Sequence, residues 1–346
     1  MKKRSPENTL DIARRRLLQG VAAGALAATG FPLSAAAATP ASSGRNTDTV
    51  RVTWGASGTL SLLARERGAF EKTLAAQGIK VEWIGPFPNH APTLQAVVGG
   101  SADFGFYGST TPALAAILAG SPLVFVQYNV HHPRSTAILV KKHSAIHSVK
   151  DLAGKKVAVN RSGLGEFLLV AALEKHGLAR DAVQFVYLNP PDAAPAFGQG
   201  KVDAWSMWSP GVDIAREQFD GKDIFFEGRD LPFYIDFSSL VSSRKFATEN
   251  PALARAVIDA YAAEGKWANE HLLEAETIAQ KAGKYSDGVR DHLVGLKRLH
   301  RFHEADDAEF LADFQRAADW LSGRKVLPRE AAVREHSIRP RSFPTR

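Results

Sequence analysis

From residue 50 onward, short apolar runs alternate with stretches whose apolar positions recur at helical spacing. Val50 to Trp54 reads as a strand and Gly55-Ala56-Ser57-Gly58 as a turn. Leu60, Leu63, Ala64, Phe70 and Leu74 then fall on one helical face. Strands follow at Val81 to Ile84, Ala102 to Tyr107 and Leu123 to Tyr128, with helices at Thr93 to Val98 and Thr111 to Ala119 between them. This β-α-β-α-β order predicts a parallel sheet with helices on both faces.

A second series begins near Ser135. Ala137 to Lys141, Lys156 to Val159, Val183 to Leu188 and Val202 to Met207 read as strands; Glu166 to His176 and Asp192 to Phe197 read as helices. A strand at Tyr234 to Ser242 closes the series, and beyond it the pattern is helical only, opened by Asn250 as N-cap and Pro251 at the first helical position. The order predicts an α/β protein of two lobes, the second inserted between the first and its C-terminal helices. Residues 50–133 and 238–330 form lobe 1, residues 134–237 form lobe 2, and 334–346 form a loose tail. The chain crosses near His131–Thr136 and again near Phe233–Ser239, and two such crossings make a hinge.

One short pattern occurs twice, 100 residues apart: Gly99-Gly100-Ser101-Ala102-Asp103-Phe104-Gly105-Phe106-Tyr107-Gly108-Ser109, and Gln199-Gly200-Lys201-Val202-Asp203-Ala204-Trp205-Ser206-Met207-Trp208-Ser209. Each copy ends a helix at Gly, enters an Asp-led apolar run, and delivers an aromatic residue and a serine, with proline close behind (Pro112, Pro210). Matching polar ends on two α/β units point to a ligand held between them.

Composition narrows the class. The 346 residues are 45% apolar and 23% charged, enough for a sizeable core. Residues 1–38 stand apart as an export signal. They have a basic opening (Lys2, Lys3, Arg4), the run Ala13-Arg14-Arg15-Arg16-Leu17-Leu18 of twin-arginine type, an apolar Ala/Gly-rich stretch too short to span a membrane, and Ala-rich cleavage sites before Thr39. A general secretory signal is the alternative to the twin-arginine reading, and either predicts a periplasmic protein, soluble after signal removal. The leader holds six Lys/Arg and two Asp/Glu, so the net charge of +7 falls to +3 without it. No basic cluster suited to nucleic acid remains. The absence of cysteine excludes disulfides, thiol catalysis and a lipid-modified N-terminal cysteine.

Ligands of open parallel sheets bind at the carboxyl ends of strands, where helix N-termini point inward. Four turns qualify: Ser57-Gly58-Thr59; Ser109-Thr110-Thr111; Ser162-Gly163 leading to Glu166; and Ser209-Pro210. Their hydroxyls and free N–H groups suit a small anionic ligand without Lys or Arg, although each residue also serves as an ordinary helix cap. Trp208 at a strand end is expected in the cleft with Tyr107 as its lobe 1 counterpart, and Trp205 in the core. Phe87-Pro88-Asn89-His90 reads as a cap over the site or a surface turn. His131-His132 reads as a polar hinge contact, and His300 and His303 as one solvated helix face. No cofactor or metal motif is present.

The stretches LLARERGAFEKTL (62–74), GGSADFGFYGSTTPALAAILAG (99–120), SVKDLAGKKVAV (148–159), EFLLVAALEKHGL (166–178) and GKVDAWSMWSP (200–210) resemble aliphatic-sulfonate and taurine-type periplasmic substrate-binding proteins of ABC importers. The resemblance implies a type II periplasmic binding protein fold and a monomer. It also implies an organosulfonate head group at helix N-termini, and a membrane permease with its ATPase as partners. The family typically has aspartate where Ser109 and Ser209 stand, and histidine where Glu166 stands. Loss of both carboxylates disfavours a zwitterion such as taurine, unless Glu166 supplies the counter-charge, and favours uncharged-tail or aryl sulfonates or sulfate esters. Rival readings are an enzyme on the same fold, which the lack of cysteine argues against, and a sensor-type binding protein.

Overall fold

The computed structural model describes residues 48–55 and 59–341. In chain order the elements are β1 (Thr49–Gly55), α1 (Leu60–Arg67), α2 (Ala69–Ala75), β2 (Lys80–Phe87), α3 (His90–Val98), β3 (Phe104–Ser109), α4 (Thr110–Leu118) and β4 (Leu123–His132). The second series follows as β5 (Ala137–Lys141), β6 (Lys156–Val159), α5 (Leu164–Lys175), β7 (Gln184–Tyr187), α6 (Pro190–Gly198), β8 (Ala204–Met207), α7 (Gly211–Gln218), β9 (Gly221–Phe226) and α8 (Glu227–Asp230). The chain then forms β10 (Ser238–Ser243), α9 (Arg244–Glu249), α10 (Pro251–Glu270), α11 (Leu272–Gly283), α12 (Asp287–Gly295), β11 (Leu299–Glu304) and α13 (Ala308–Gly323).

Two sheets result, ordered β11-β4-β10-β3-β1-β2 and β7-β6-β8-β5-β9. Neither is purely parallel, contrary to the expectation from the β-α-β order. β10 runs antiparallel between β3 and β4, β11 runs antiparallel on the far edge of β4, and β5 runs antiparallel to β8 and β9. The reason is connectivity. β10 comes back from the second sheet and β11 comes off α12, so neither follows a right-handed β-α-β crossover. β11 also corrects the expectation of helices alone after residue 242. Leu-His-Arg-Phe-His-Glu becomes a strand because β4 offers an unpaired edge, with Leu299 opposite His132 and Glu304 opposite Gln127. β9 likewise lies outside the predicted strands.

Both faces of the first sheet are covered, so its central strands are apolar on both sides. On one face Val50, Val52, Phe70, Leu74, Val124 and Tyr261 pack under α1, α2 and α10. On the other, Leu114, Phe125, Tyr128, Phe237, Phe310 and Phe314 form a cluster continuous with Val157 of β6 and with Phe167 and Leu169 of α5, which covers the second sheet. The residues at 334–341 do not lie loose as expected. Ser337 bridges Phe125, its Oγ lies 2.5 Å from the Tyr128 hydroxyl, and Ile338 N donates to Phe125 O at 2.9 Å. Burial of Val333 and these contacts tie this segment to β4.

Candidate functional site

The repeat places Ser109 at the end of β3 as N-cap of α4, and Ser209 in the turn between β8 and α7, just before the N-cap Pro210; their surroundings differ. Ser109 caps α4 without a side-chain hydrogen bond, and its buried Oγ has no partner. Its carbonyl accepts from His90 Nδ1 at 2.9 Å, and burial pushes the His90 pKa down to about 4. The Thr110 and Thr111 hydroxyls turn to a protein carboxylate. Both hydroxyls and the Thr111 amide donate to one oxygen of Asp236, at 2.7, 3.0 and 3.1 Å. Asp236 rides on the return crossing and is buried, so the protein supplies its own anion at this helix start.

Tyr107 also finds its partners within the protein. It belongs to the core under α10, edge-on to Tyr261 at 5.2 Å and to Phe302 at 5.8 Å, with its hydroxyl on Gln127. Packing against two rings outweighs exposure of one hydroxyl that finds a buried acceptor.

In the second copy, Trp205 is buried, and Trp208 is half-buried against the same cluster as Phe197 and Val212. Ser209 donates to Asp213 Oδ2 at 2.5 Å and accepts from Ser135 Oγ at 2.8 Å. Ser135 lies in the first crossing, so the second serine is wired to the hinge. Asp213 is paired in turn with Arg216 at 2.7 Å.

The turn before α5 has Ser162 at φ 52° and Gly163 as N-cap with no side-chain cap bond. Glu166 folds back onto the Ser162 amide at 2.6 Å, and its other oxygen accepts from Arg180 and from the Tyr187 hydroxyl. The Arg161 guanidinium lies 3.7 Å over the Tyr187 ring. Glu166 is therefore charge-compensated and shapes the turn; it is not a free counter-charge for a ligand ammonium. Ser57 and Gly58 lie outside the described residues, and Thr59 Oγ1 accepts from Leu62 N at 3.1 Å, capping α1.

Three contacts lay beyond the sequence, the first made by Asn89 of the Phe87-Pro88-Asn89-His90 turn. Asn89, the N-cap of α3, donates to Asn189 Oδ1 at 3.1 Å, and Asn160 donates to the same oxygen, bonding the first lobe to the second. The Asp236 cap is the second; an Asp inside an otherwise apolar crossing strand was its only signal. The third is a buried charged cluster at the hinge. Arg134 on the first crossing lies 3.7 Å from Glu227 of α8, with its guanidinium 5.0 Å from the Tyr234 ring of the return crossing. Arg298, just before β11, donates to His131 Nδ1 at 2.9 Å, and His131 stacks on His300 at 4.3 Å. His300 and His303 thus belong to a strand edge, not a helix face. Asn129 Nδ2 lies 2.8 Å from His300 Nδ1. Burial pushes the His300 pKa to about 4 and that of His131 well below the usual range, and raises that of Glu227. His132 Nδ1 meets the Tyr234 hydroxyl at 2.5 Å, which joins the two crossings.

Among the described residues no group of three or more His, Cys, Asp or Glu could hold a metal, and no helix is long and apolar enough to cross a membrane. Two α/β bodies, two crossings and polar turns at strand ends define the periplasmic binding protein fold. The family model described as NMT1/THI5 like matches residues 59–275. A curated relative of Escherichia coli (strain K12), named as an aliphatic sulfonates-binding protein, is 30% identical over 284 residues, 81% of this chain and 85% of its own length. The crystal structure of the periplasmic aliphatic sulphonate binding protein SsuA from Escherichia coli is similar, with TM-score 0.74 and 26% identity over 86% of this chain and 94% of that one. The alkanesulfonate-binding protein SsuA of Xanthomonas axonopodis pv. citri, solved bound to MOPS, shares the fold at TM-score 0.76 and 24% identity, covering 84% of this chain and 98% of that one. The chain belongs to the NMT1/THI5-like family.

Proposed function

We propose that this protein is the solute-binding component of an import system, capturing a small organosulfonate or sulfate ester between its lobes and delivering it to a membrane permease. The observation that carries the reading is the 30% identical relative named for aliphatic sulfonates, aligned over 85% of its own length. Residues 1–38 serve as a twin-arginine export signal, and the mature protein works in the periplasm as a monomer. Closure about the hinge is the transported signal: contacts made by both lobes exist only in the closed state, so ligand shifts the population toward it. Serines at 109 and 209, and a Glu166 already paired with Arg180, favour an uncharged or aryl tail over an ammonium tail. Calorimetric titration of the mature protein against 1-butanesulfonate, benzenesulfonate and taurine tests this. Butanesulfonate or benzenesulfonate is expected to bind more tightly than taurine, and tighter binding of taurine refutes the tail assignment.

A further inference from the structure

Three charged side chains are buried at the hinge, and the two arginines among them have hydrogen-bonding atoms unpartnered. Arg134 is 8% exposed, and neither its Nε nor its Nη2 has a hydrogen-bond partner. Glu227 is 1% exposed, with Thr136 beside its carboxylate and Arg134 at 3.7 Å, outside hydrogen-bond reach, and Arg298 Nε has no hydrogen-bond partner. Nε–H and Nη2–H form the side-on edge of a guanidinium, the edge that holds an oxyanion through two parallel bonds. Elsewhere in this protein Arg216 uses the same edge on Asp223, at 2.9 and 3.0 Å. In Arg134 the edge faces Glu227 at 3.7 Å, beyond hydrogen-bond reach.

Burying ionic groups without their hydrogen bonds is costly, and proteins retain such arrangements chiefly where function requires them. The position fits a ligand-sensing role. Arg134 lies on the first crossing, and Tyr234 under its guanidinium lies on the second. Glu227 opens the last helix of the second lobe. The neighbouring Ser135 is bonded to Ser209 at the end of the repeat's second copy. An oxyanion on this edge therefore touches the hinge and the second lobe together.

We propose that the Nε/Nη2 edge of Arg134 receives the anionic head group, with Glu227 as the carboxylate it displaces. The inference rests on the solute-binding reading above. It specifies a ligand class, a compact oxyanion able to offer two oxygens side by side: sulfonate, sulfate monoester or sulfinate.

The test is calorimetric titration of 1-butanesulfonate into the mature protein and its variants, with a thermal melt of each without ligand. Arg134→Gln is expected to lose at least 100-fold in affinity, with its ligand-free melt showing whether it folds, because the variant leaves the buried Glu227 carboxylate without the cation 3.7 Å away. Arg134→Lys keeps the charge and loses the fork, and is expected to bind at least tenfold more weakly. Glu227→Gln is expected to bind several-fold more tightly. Affinity within threefold of wild type in Arg134→Gln overturns the assignment. If that variant does not fold, wild-type affinity in a folded Arg134→Lys overturns it instead. Failure of the wild-type protein to bind any sulfonate defeats the underlying reading as well, whereas a binding wild type with an unaffected Arg134→Gln defeats only this inference.

Discussion

Asp236→Ala is the substitution whose consequence the structure specifies most fully. One buried oxygen of Asp236 accepts from Thr110 Oγ1, Thr111 Oγ1 and Thr111 N. Removing it takes the cap from α4, worth about 1 kcal/mol. It also leaves two buried hydroxyls short of an acceptor, at about 1–2 kcal/mol each, the lower part of the usual range. Thr110 Oγ1 still accepts from Phe237 N at 3.2 Å, which fixes its position but not its proton. The expected loss is about 3–5 kcal/mol, near the upper end of ordinary point substitutions. At about 2 °C per kcal/mol for a chain of this size, the melting temperature should fall by about 6–10 °C. Asp236→Asn retains an acceptor oxygen in the same place and should cost only about 1 kcal/mol. Urea unfolding followed by tryptophan fluorescence, with calorimetric melts alongside, measures both. Asp236→Ala within about 1 kcal/mol of wild type, or Asn as damaging as Ala, would refute the view that this carboxylate organises the helix start.

Acid should destabilise the protein through its buried histidines. His90 and His300 have folded pKa values near 4 against 6.5 for the free side chain, so the unfolded chain binds protons first. Stability is therefore complete above about pH 6.5 and is lost as the pH falls toward 4, at up to about 1.4 kcal/mol per pH unit per group. Urea melts at pH 7, 5.5 and 4.5 should show the decline, and His300→Gln should reduce its slope; an unchanged slope in that variant rejects His300 as a contributor. Gly165→Ala places a methyl group 2.2 Å from the Ser206 carbonyl oxygen, forcing α5 away from β8. The expected cost is about 1–3 kcal/mol by chemical denaturation, and a neutral result contradicts the close packing. Asn89→Ala removes a bond between the lobes, worth about 1 kcal/mol at an exposed site, and should lower apparent sulfonate affinity about fivefold. Small-angle scattering of the liganded variant should show a larger open fraction, and a curve identical to wild type excludes a closing role for this bond.

Much of the secondary structure was legible because its signals are local. Apolar runs marked β1, β4, β5 and β6, and Asn250-Pro251 marked the start of α10. The two crossings were legible too, since an alternating pattern restarted after one and gave way to helices after the other. β11 was not, because Leu-His-Arg-Phe-His-Glu carries no strand period and becomes a strand only against the edge of β4. In the site, Ser109 caps α4 and Ser209 lies in the turn before Pro210, the N-cap of α7. Their partners were hidden, because Asp236 is 126 residues from Thr110, and Ser135 is 74 from Ser209. Tyr107 shows the same limit. Its place after an apolar run suggested the cleft, but which face it entered depended on Tyr261 and Phe302.

The chain alone determined the repeated α/β units, the order in which they are joined and the polar residues at their strand ends. Those properties follow from hydrophobic period and from glycine, proline and cap positions, all read within a few residues. The tertiary structure alone decided which of those polar ends remain available. Asp236 occupies one helix start, Arg180 neutralises Glu166, and Arg134 remains buried at the hinge with its donor edge unpaired. Pairing between charges depends on distances set by the packing of remote segments, and a buried charge acquires its energetic meaning only from those partners.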